Sequence, residues 1–157
     1  MANLTMLELS DRAQITDLLY RYAKGIDDQN WEQVLSCFAP EIHLEVLGRT
    51  VIGISEVRRF FRGELGGPKA AVGIDRITAS THVLANILIE LAGDDASADT
   101  QGVANLQASR DGRDIFLVRG VRYIDTLKRI DGEWLIVLRR HTQSWQFESA
   151  PVPMSKG

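Results

Sequence analysis

Apolar residues recur at helical spacing early in the chain: Ile15, Leu18, Leu19, Tyr22, Ala23 and Ile26 fall on one face. This pattern predicts an amphipathic helix capped by Ser10 or Asp11 and closed near Asp27. Asn30 caps a predicted second, shorter helix with Trp31, Val34, Leu35 and Phe38 on its inner side, stopped by Ala39-Pro40. Glu41-Ile42-His43-Leu44-Glu45-Val46 then alternates as a strand does. Leu47-Gly48-Arg49-Thr50 reads as a turn and Val51-Ile52-Gly53 as a short return strand. Ser55 caps a third helix that carries Val57, Phe60, Phe61 and Leu65 and ends at Gly66-Gly67-Pro68.

The remainder reads as β-structure. Strands are expected at about 76–91, 96–109, 115–129 and 133–147. Gly93-Asp94-Asp95, Arg110-Asp111-Gly112-Arg113 and Asp131-Gly132 separate them with hairpin-turn compositions. Strands of this length imply strong curvature. Helices followed by an antiparallel meander give an α+β class: a cone-shaped, curved, mixed or antiparallel sheet closed by N-terminal helices. The expectation is one domain over 1–157, with a core at about 8–147. The tail from 148 holds Pro151 and Pro153, and is expected to be loose or to lie across a neighbour.

Composition narrows the function. With 157 residues, 45% hydrophobic and 25% charged, the chain has the make-up of a soluble globular domain able to bury a core. A net charge of −3 gives no electrostatic case for nucleic acid or an anionic membrane as the main partner. Cys37 is the only cysteine and reads as a core residue, and no Cys/His group has zinc-site spacing. Asp94-Asp95 is turn chemistry, so no metal is expected. The N-terminus lacks the basic start and apolar run of a signal peptide, and no apolar run approaches the ~18 residues of a membrane span, so the expected location is the cytoplasm.

Two residues stand out chemically. Asp27 closes the first helix and His82 lies in the strand-like run Ser80-Thr81-His82-Val83-Leu84-Ala85-Asn86. A helix-end carboxylate on a strand imidazole makes an acid–base pair if the fold joins them. Each also has a plainer reading. Asp27 can pair with Lys24 or cap the next helix through Asp28 or Asn30, and a strand histidine can be a satisfied structural residue. Strict alternation groups His82 with Leu84, Asn86 and Leu88, opposite Val83, Ala85, Ile87 and Ile89, and groups Arg139 and His141 with Leu135 and Val137. His43 beside Glu45 reads as a solvated strand face, and Trp31, Trp134 and Trp145 as core or rim aromatics.

The order of elements, together with specific residues, resembles the SnoaL-like branch of the NTF2-like cone folds, described also as a cystatin-like α+β barrel. The matching residues are Leu18-Leu19-Tyr20-Arg21-Tyr22-Ala23 with Asp27, Trp31, Phe38-Ala39-Pro40, Gly53, Thr81-His82 with Asn86, Gly93-Asp94-Asp95-Ala96, Tyr123-Ile124-Asp125 and Asp131-Gly132-Glu133-Trp134-Leu135-Ile136 with Arg139. The pattern is most similar to the scytalone dehydratase, bile-acid dehydratase and hexachlorocyclohexane dehydrochlorinase group. The resemblance implies a cofactor-independent lyase in which Asp27, His82, Tyr22 and Arg139 are catalytic. There is no lysine at position 22, which speaks against a plain dehydrochlorinase, and no second histidine matches scytalone-type chemistry.

On this reading His82 is the base, Asp27 orients it, Tyr22 donates to a carbonyl or leaving hydroxyl, and Arg139 stabilises negative charge. In an ideal helix Tyr22 and Asp27 lie about 140° apart, so a break near Gly25 is needed for them to converge, and Tyr20 remains a rival for the pocket. Tyr20, Trp31, Asn86 and His141 are candidate ligand contacts. The expected ligand is a small hydrophobic ring compound such as a steroid, polyketide or aromatic intermediate. Two alternatives stand beside the lyase: an isomerase or cyclase of the ketosteroid isomerase kind with Asp27 as base, and a non-catalytic binding or assembly domain such as an oxygenase small subunit. The apolar Trp145-Gln146-Phe147 end suggests self-association, and the resemblance implies a homodimer or homotrimer.

Overall fold

The structure, a computed structural model, describes residues 3–152. Helix α1 (Met6–Asp27) starts earlier than Ser10 or Asp11. Thr5 forms a capping box: its Oγ1 accepts the Glu8 N–H at 3.2 Å while Glu8 Oε2 accepts the Thr5 N–H at 2.7 Å. Asp11, freed from capping, is buried and accepts from Arg129 Nη2 at 2.8 Å and Trp134 Nε1 at 3.2 Å. The helix continues through Gly25 without a break. A Cβ at Gly25 would lie 2.9 Å from Val34 Cγ2, so the glycine allows α2 (Trp31–Leu35) to pack close.

Asn30 Oδ1 caps α2 by accepting the Gln33 N–H at 3.2 Å. The helix ends before Phe38, which opens β1 (Phe38–Val46), so Ala39-Pro40 lies in a strand. Pro40 is accommodated because the β1 register breaks between Phe38 and His43. After β2 (Arg49–Ile52), Gly53 takes the N-cap of α3 (Ile54–Phe61) with φ +83°, so Ser55 sits inside the helix. Leu65 lies beyond α3, and Gly67–Ala71 forms a short α4 with Pro68 in its first turn.

Strands β3 (Arg76–Ala92), β4 (Asp95–Arg110), β5 (Arg113–Ile130) and β6 (Glu133–Ser149) match the expected meander. The sheet order is β2-β1-β6-β5-β4-β3, with β1 parallel to β6 and the other pairs antiparallel. The fold is therefore α+β with a curved six-stranded sheet that does not close: β2 and β3 are its edges. The core includes Ile15, Leu18, Leu19, Phe38, Ile42, Phe60, Tyr123 and Ile136, contributed by the helices and the sheet face beneath them. Of the predicted tail, residues 153–157 lie outside the described residues.

Bulges decide which residues face inward, and they overturn strict alternation. The β3–β4 register skips Thr78 and Asn86. Leu84 packs on the core, and past Asn86 so do Ile87, Ile89 and Leu91, while Leu88 is exposed. The β5–β6 register skips Val137. Arg139 therefore shares the buried side with Trp134 and Ile136, not with Leu135 and Val137.

Candidate functional site

The last residue of α1 meets the edge strand β3. Asp27 Oδ1 lies 2.6 Å from His82 Nδ1 and accepts from Ser80 Oγ at 2.7 Å, while Asp27 Oδ2 accepts the His82 backbone N–H at 2.8 Å. Ser80 and His82 are two residues apart on one strand, so alternation presents both to the same carboxylate. Lys24 does not compete, because it pairs with Asp28 at 2.5 Å. Burial pushes the Asp27 carboxyl up, but hydrogen bonds from the His82 ring, the His82 backbone and Ser80 outweigh it and hold the group below its ordinary value. An ionised carboxylate only accepts, so the proton between the groups is assigned to Nδ1, the tautomer that places a lone pair on Nε2 whenever the ring is neutral.

His82 lines a cavity of about 230 Å³. Its walls come from α1 and α2 (Tyr22, Ile26, Trp31), β1 (Leu44, Val46), the α3–α4 region (Phe60, Phe61, Lys69), and β4 to β6 (Ala104, Arg119, Val121, Tyr123, His141). The volume exceeds the roughly 150 Å³ that admits benzene in an apolar cavity. One or two rings therefore fit within it. Trp31 stacks on Phe61 with centroids 5.6 Å apart and forms part of the wall.

Tyr22 is buried, and burial raises its phenol above the ordinary value, so it keeps its proton at neutral pH and can donate. His141 packs edge-on against Tyr123 with centroids 4.9 Å apart, and its Nε2 is buried with no partner among the described residues. Burial, together with the nearby charges of Arg119 and Arg139, lowers the His141 pKa to about 3, so the ring is neutral.

Comparison with known proteins fits this architecture. The SnoaL-like domain profile matches residues 7–140. The chain belongs to the SnoaL-like family. An uncharacterized protein of Mycobacterium tuberculosis is 24% identical over 147 residues, covering 91% of this chain and 92% of its own. A proposed scytalone dehydratase from Novosphingobium aromaticivorans superposes with a TM-score of 0.74 at 16% identity, covering 98% of this chain and 99% of that one. A hexachlorocyclohexane dehydrochlorinase from Novosphingobium barchaimii gives 0.76 at 16% identity, covering 95% and 97%. At these identities the two solved structures establish the shared fold.

In this SnoaL-like chain the sequence candidates divide. Asp27 and His82 touch, and Tyr22, Trp31 and His141 line the same cavity. Tyr22 and Asp27 reach the site without the helix break expected at Gly25: Tyr22 turns into the core and Asp27 toward β3. Tyr20 is corrected: it is 49% exposed and lies off the cavity. Asn86 is also corrected. It is the bulge residue, with φ +47°, and its exposed amide donates to Gln101 at 3.3 Å.

Arg139 does not reach the cavity. It is fully buried, donates to Asp125 through Nε at 2.8 Å and Nη2 at 2.6 Å, and lies over the rings of Tyr22 at 4.0 Å and Tyr123 at 4.5 Å. Its place is beneath the cavity wall, holding both tyrosines, rather than on a substrate. Sequence reasoning missed Ser80 and Arg119. Ser80 was findable as the same-face neighbour of His82. Arg119 shares its phase with Leu117, Val121 and Tyr123, an anomaly on an apolar face.

Proposed function

We propose that this chain is a cofactor-independent lyase of the dehydratase kind, acting on a small hydrophobic cyclic compound. The observation that carries this reading is the Asp27–His82 contact of 2.6 Å in the wall of an open, largely apolar cavity. The mechanism begins when His82 Nε2 takes a proton from carbon beside a carbonyl or other activating group. Asp27 holds the ring and stabilises the imidazolium. The electron pair of the C–H bond becomes the new C=C bond as the C–O bond breaks. The departing hydroxyl takes a proton back from imidazolium and leaves as water, so substrate becomes alkene plus water. The Tyr22 hydroxyl donates to the oxygen on which negative charge develops.

The geometry favours this assignment over an aspartate base. Both Asp27 oxygens are occupied by His82 and Ser80, and the carboxylate sits behind the imidazole rather than in the cavity wall. The test is turnover of β-hydroxy ketones and hydroxylated cyclic compounds, followed by absorbance of the new conjugated double bond. His82→Gln is expected to lower kcat by at least about a hundredfold, the scale of a lost general base, with Asp27→Asn somewhat less affected. Near-normal turnover in His82→Gln, with collapse only in Asp27→Asn, would transfer the role of base to the aspartate.

A further inference from the structure

The cavity carries a charge signature that the proton-transfer chemistry does not use. Among the described residues four charged side chains are buried to the extent of a core residue: Asp11, Arg119, Asp125 and Arg139. Three have ionic partners. Asp11 pairs with Arg129 at 2.8 Å, and Asp125 and Arg139 pair with each other at 2.6 Å. Arg119 is 5% exposed and has no carboxylate partner among the described residues. Its Nε donates to the amide oxygen of Gln143 at 2.8 Å, and its Nη2 donates to the same atom. An amide dipole does not neutralise a guanidinium, and a buried charge without a counter-ion is costly. Burial lowers the Arg119 pKa, yet an arginine side chain keeps its charge at neutral pH.

The rest of the lining points the same way. Its formally charged side chains are Arg62, Lys69 and Arg119, and no carboxylate is among them. This is a cationic cavity in a chain whose net charge is −3. Of these three cations, Arg62 reaches Glu32 at 3.5 Å, and the other nearby acids are committed elsewhere: Asp27 to Ser80 and His82, Asp125 to Arg139. His141, neutral and with Nε2 unpartnered, lines the same cavity as Arg119.

We propose that the ligand is an anion, a one- or two-ring compound bearing a carboxylate, and that Arg119 is the counter-ion site, with Lys69 and Arg62 on its approach. This rests on the cavity being the substrate site of the proposed lyase, but not on the role of His82. The acid group fixes which face and which carbon of the ring meet the imidazole. It also explains why a buried cation is tolerated in an otherwise apolar wall: the missing partner arrives with the substrate.

Isothermal titration of the full chain with 2-naphthoate and with its neutral isostere 2-naphthamide tests this directly. Wild type is expected to bind naphthoate roughly tenfold to a hundredfold tighter than the amide, the worth of one charged hydrogen-bonded contact. Arg119→Met removes that preference and leaves amide binding in place. Arg119→Lys, which keeps the charge, retains part of it and guards against loss of fold in the first variant. Equal affinity for acid and amide in wild type, an acid preference that survives in Arg119→Met, or no saturable naphthoate binding would overturn the proposal. An intact acid preference in a protein whose turnover ignores His82→Gln would sink the lyase reading and leave the anion site standing.

Discussion

At the scale of single residues, the site depends on how one carboxylate is shared. Asp27 accepts three hydrogen bonds, from the His82 ring, the His82 backbone and Ser80. Ser80→Ala removes one of them and is expected to slow kcat by about threefold to tenfold at unchanged KM, the effect of a single positioning hydrogen bond, measured by steady-state kinetics. Arg139 has a different role. Arg139→Met leaves Asp125 buried without its partner and should destabilise the fold by about 3 to 5 kcal/mol in urea unfolding, while the double variant with Asp125→Leu recovers most of the loss. The Asp27–His82 pair was legible in the sequence because each stood out against an apolar pattern and matched a known family arrangement. Arg119 was not. Strand β5 carries Arg119 and Arg122 on opposite faces, and only the fold shows that Arg122 finds Asp99 at 2.8 Å while Arg119 finds an amide.

At the scale of elements, the strand boundaries and hairpin turns were readable from composition, but the phase of each strand was not. Alternation holds only between bulges, and no local rule of apolar spacing placed the skips at Thr78, Asn86 or Val137. Asn86 is a hint in hindsight, since asparagine tolerates the left-handed conformation it adopts at φ +47°. Asn86→Gly is expected to be close to neutral, and Asn86→Val to cost about 1 to 3 kcal/mol in denaturant unfolding as a β-branched residue forced into that region. Neither change should move ligand affinity, because the residue faces away from the cavity. The second helix shows the same limit: Phe38 satisfied a helical period, yet it opens a strand because its partner Ile136 lies on β6, far away in the sequence.

At the scale of the whole molecule, acid should loosen the fold in a defined window. His141 is held neutral down to about pH 3, whereas an unfolded chain protonates histidine near pH 6.5. The unfolded state then binds more protons, so stability is complete above about pH 6.5 and declines as pH falls toward 3. Asp27 acts in the same sense lower down: its depressed pKa contributes stability above the ordinary carboxylate value, and that contribution is lost as pH falls through the folded value. Thermal melts at stepped pH should show this decline, and His141→Phe should flatten its upper part. The overall architecture was legible from the order of helices and strands. The parallel pairing of β1 with β6 was not, because it joins segments far apart in the sequence whose meeting no local pattern encodes.

Among the described residues, strand β3 pairs with β4 on one side and has no sheet neighbour on the other. A margin of this kind can offer amides and carbonyls to a passing extended chain, the first step toward fibrous aggregation, and here Asp27 already takes the His82 amide and Arg12 the Ile89 carbonyl. The breaks at Thr78 and Asn86 lie on either side of His82 and interrupt that margin, so a second extended chain finds no long regular ladder to join. The irregularities that help set which side of β3 faces the cavity thus also guard the protein against zipping to its own copies. A variant with a straightened β3 would be expected to lose solubility along with its site.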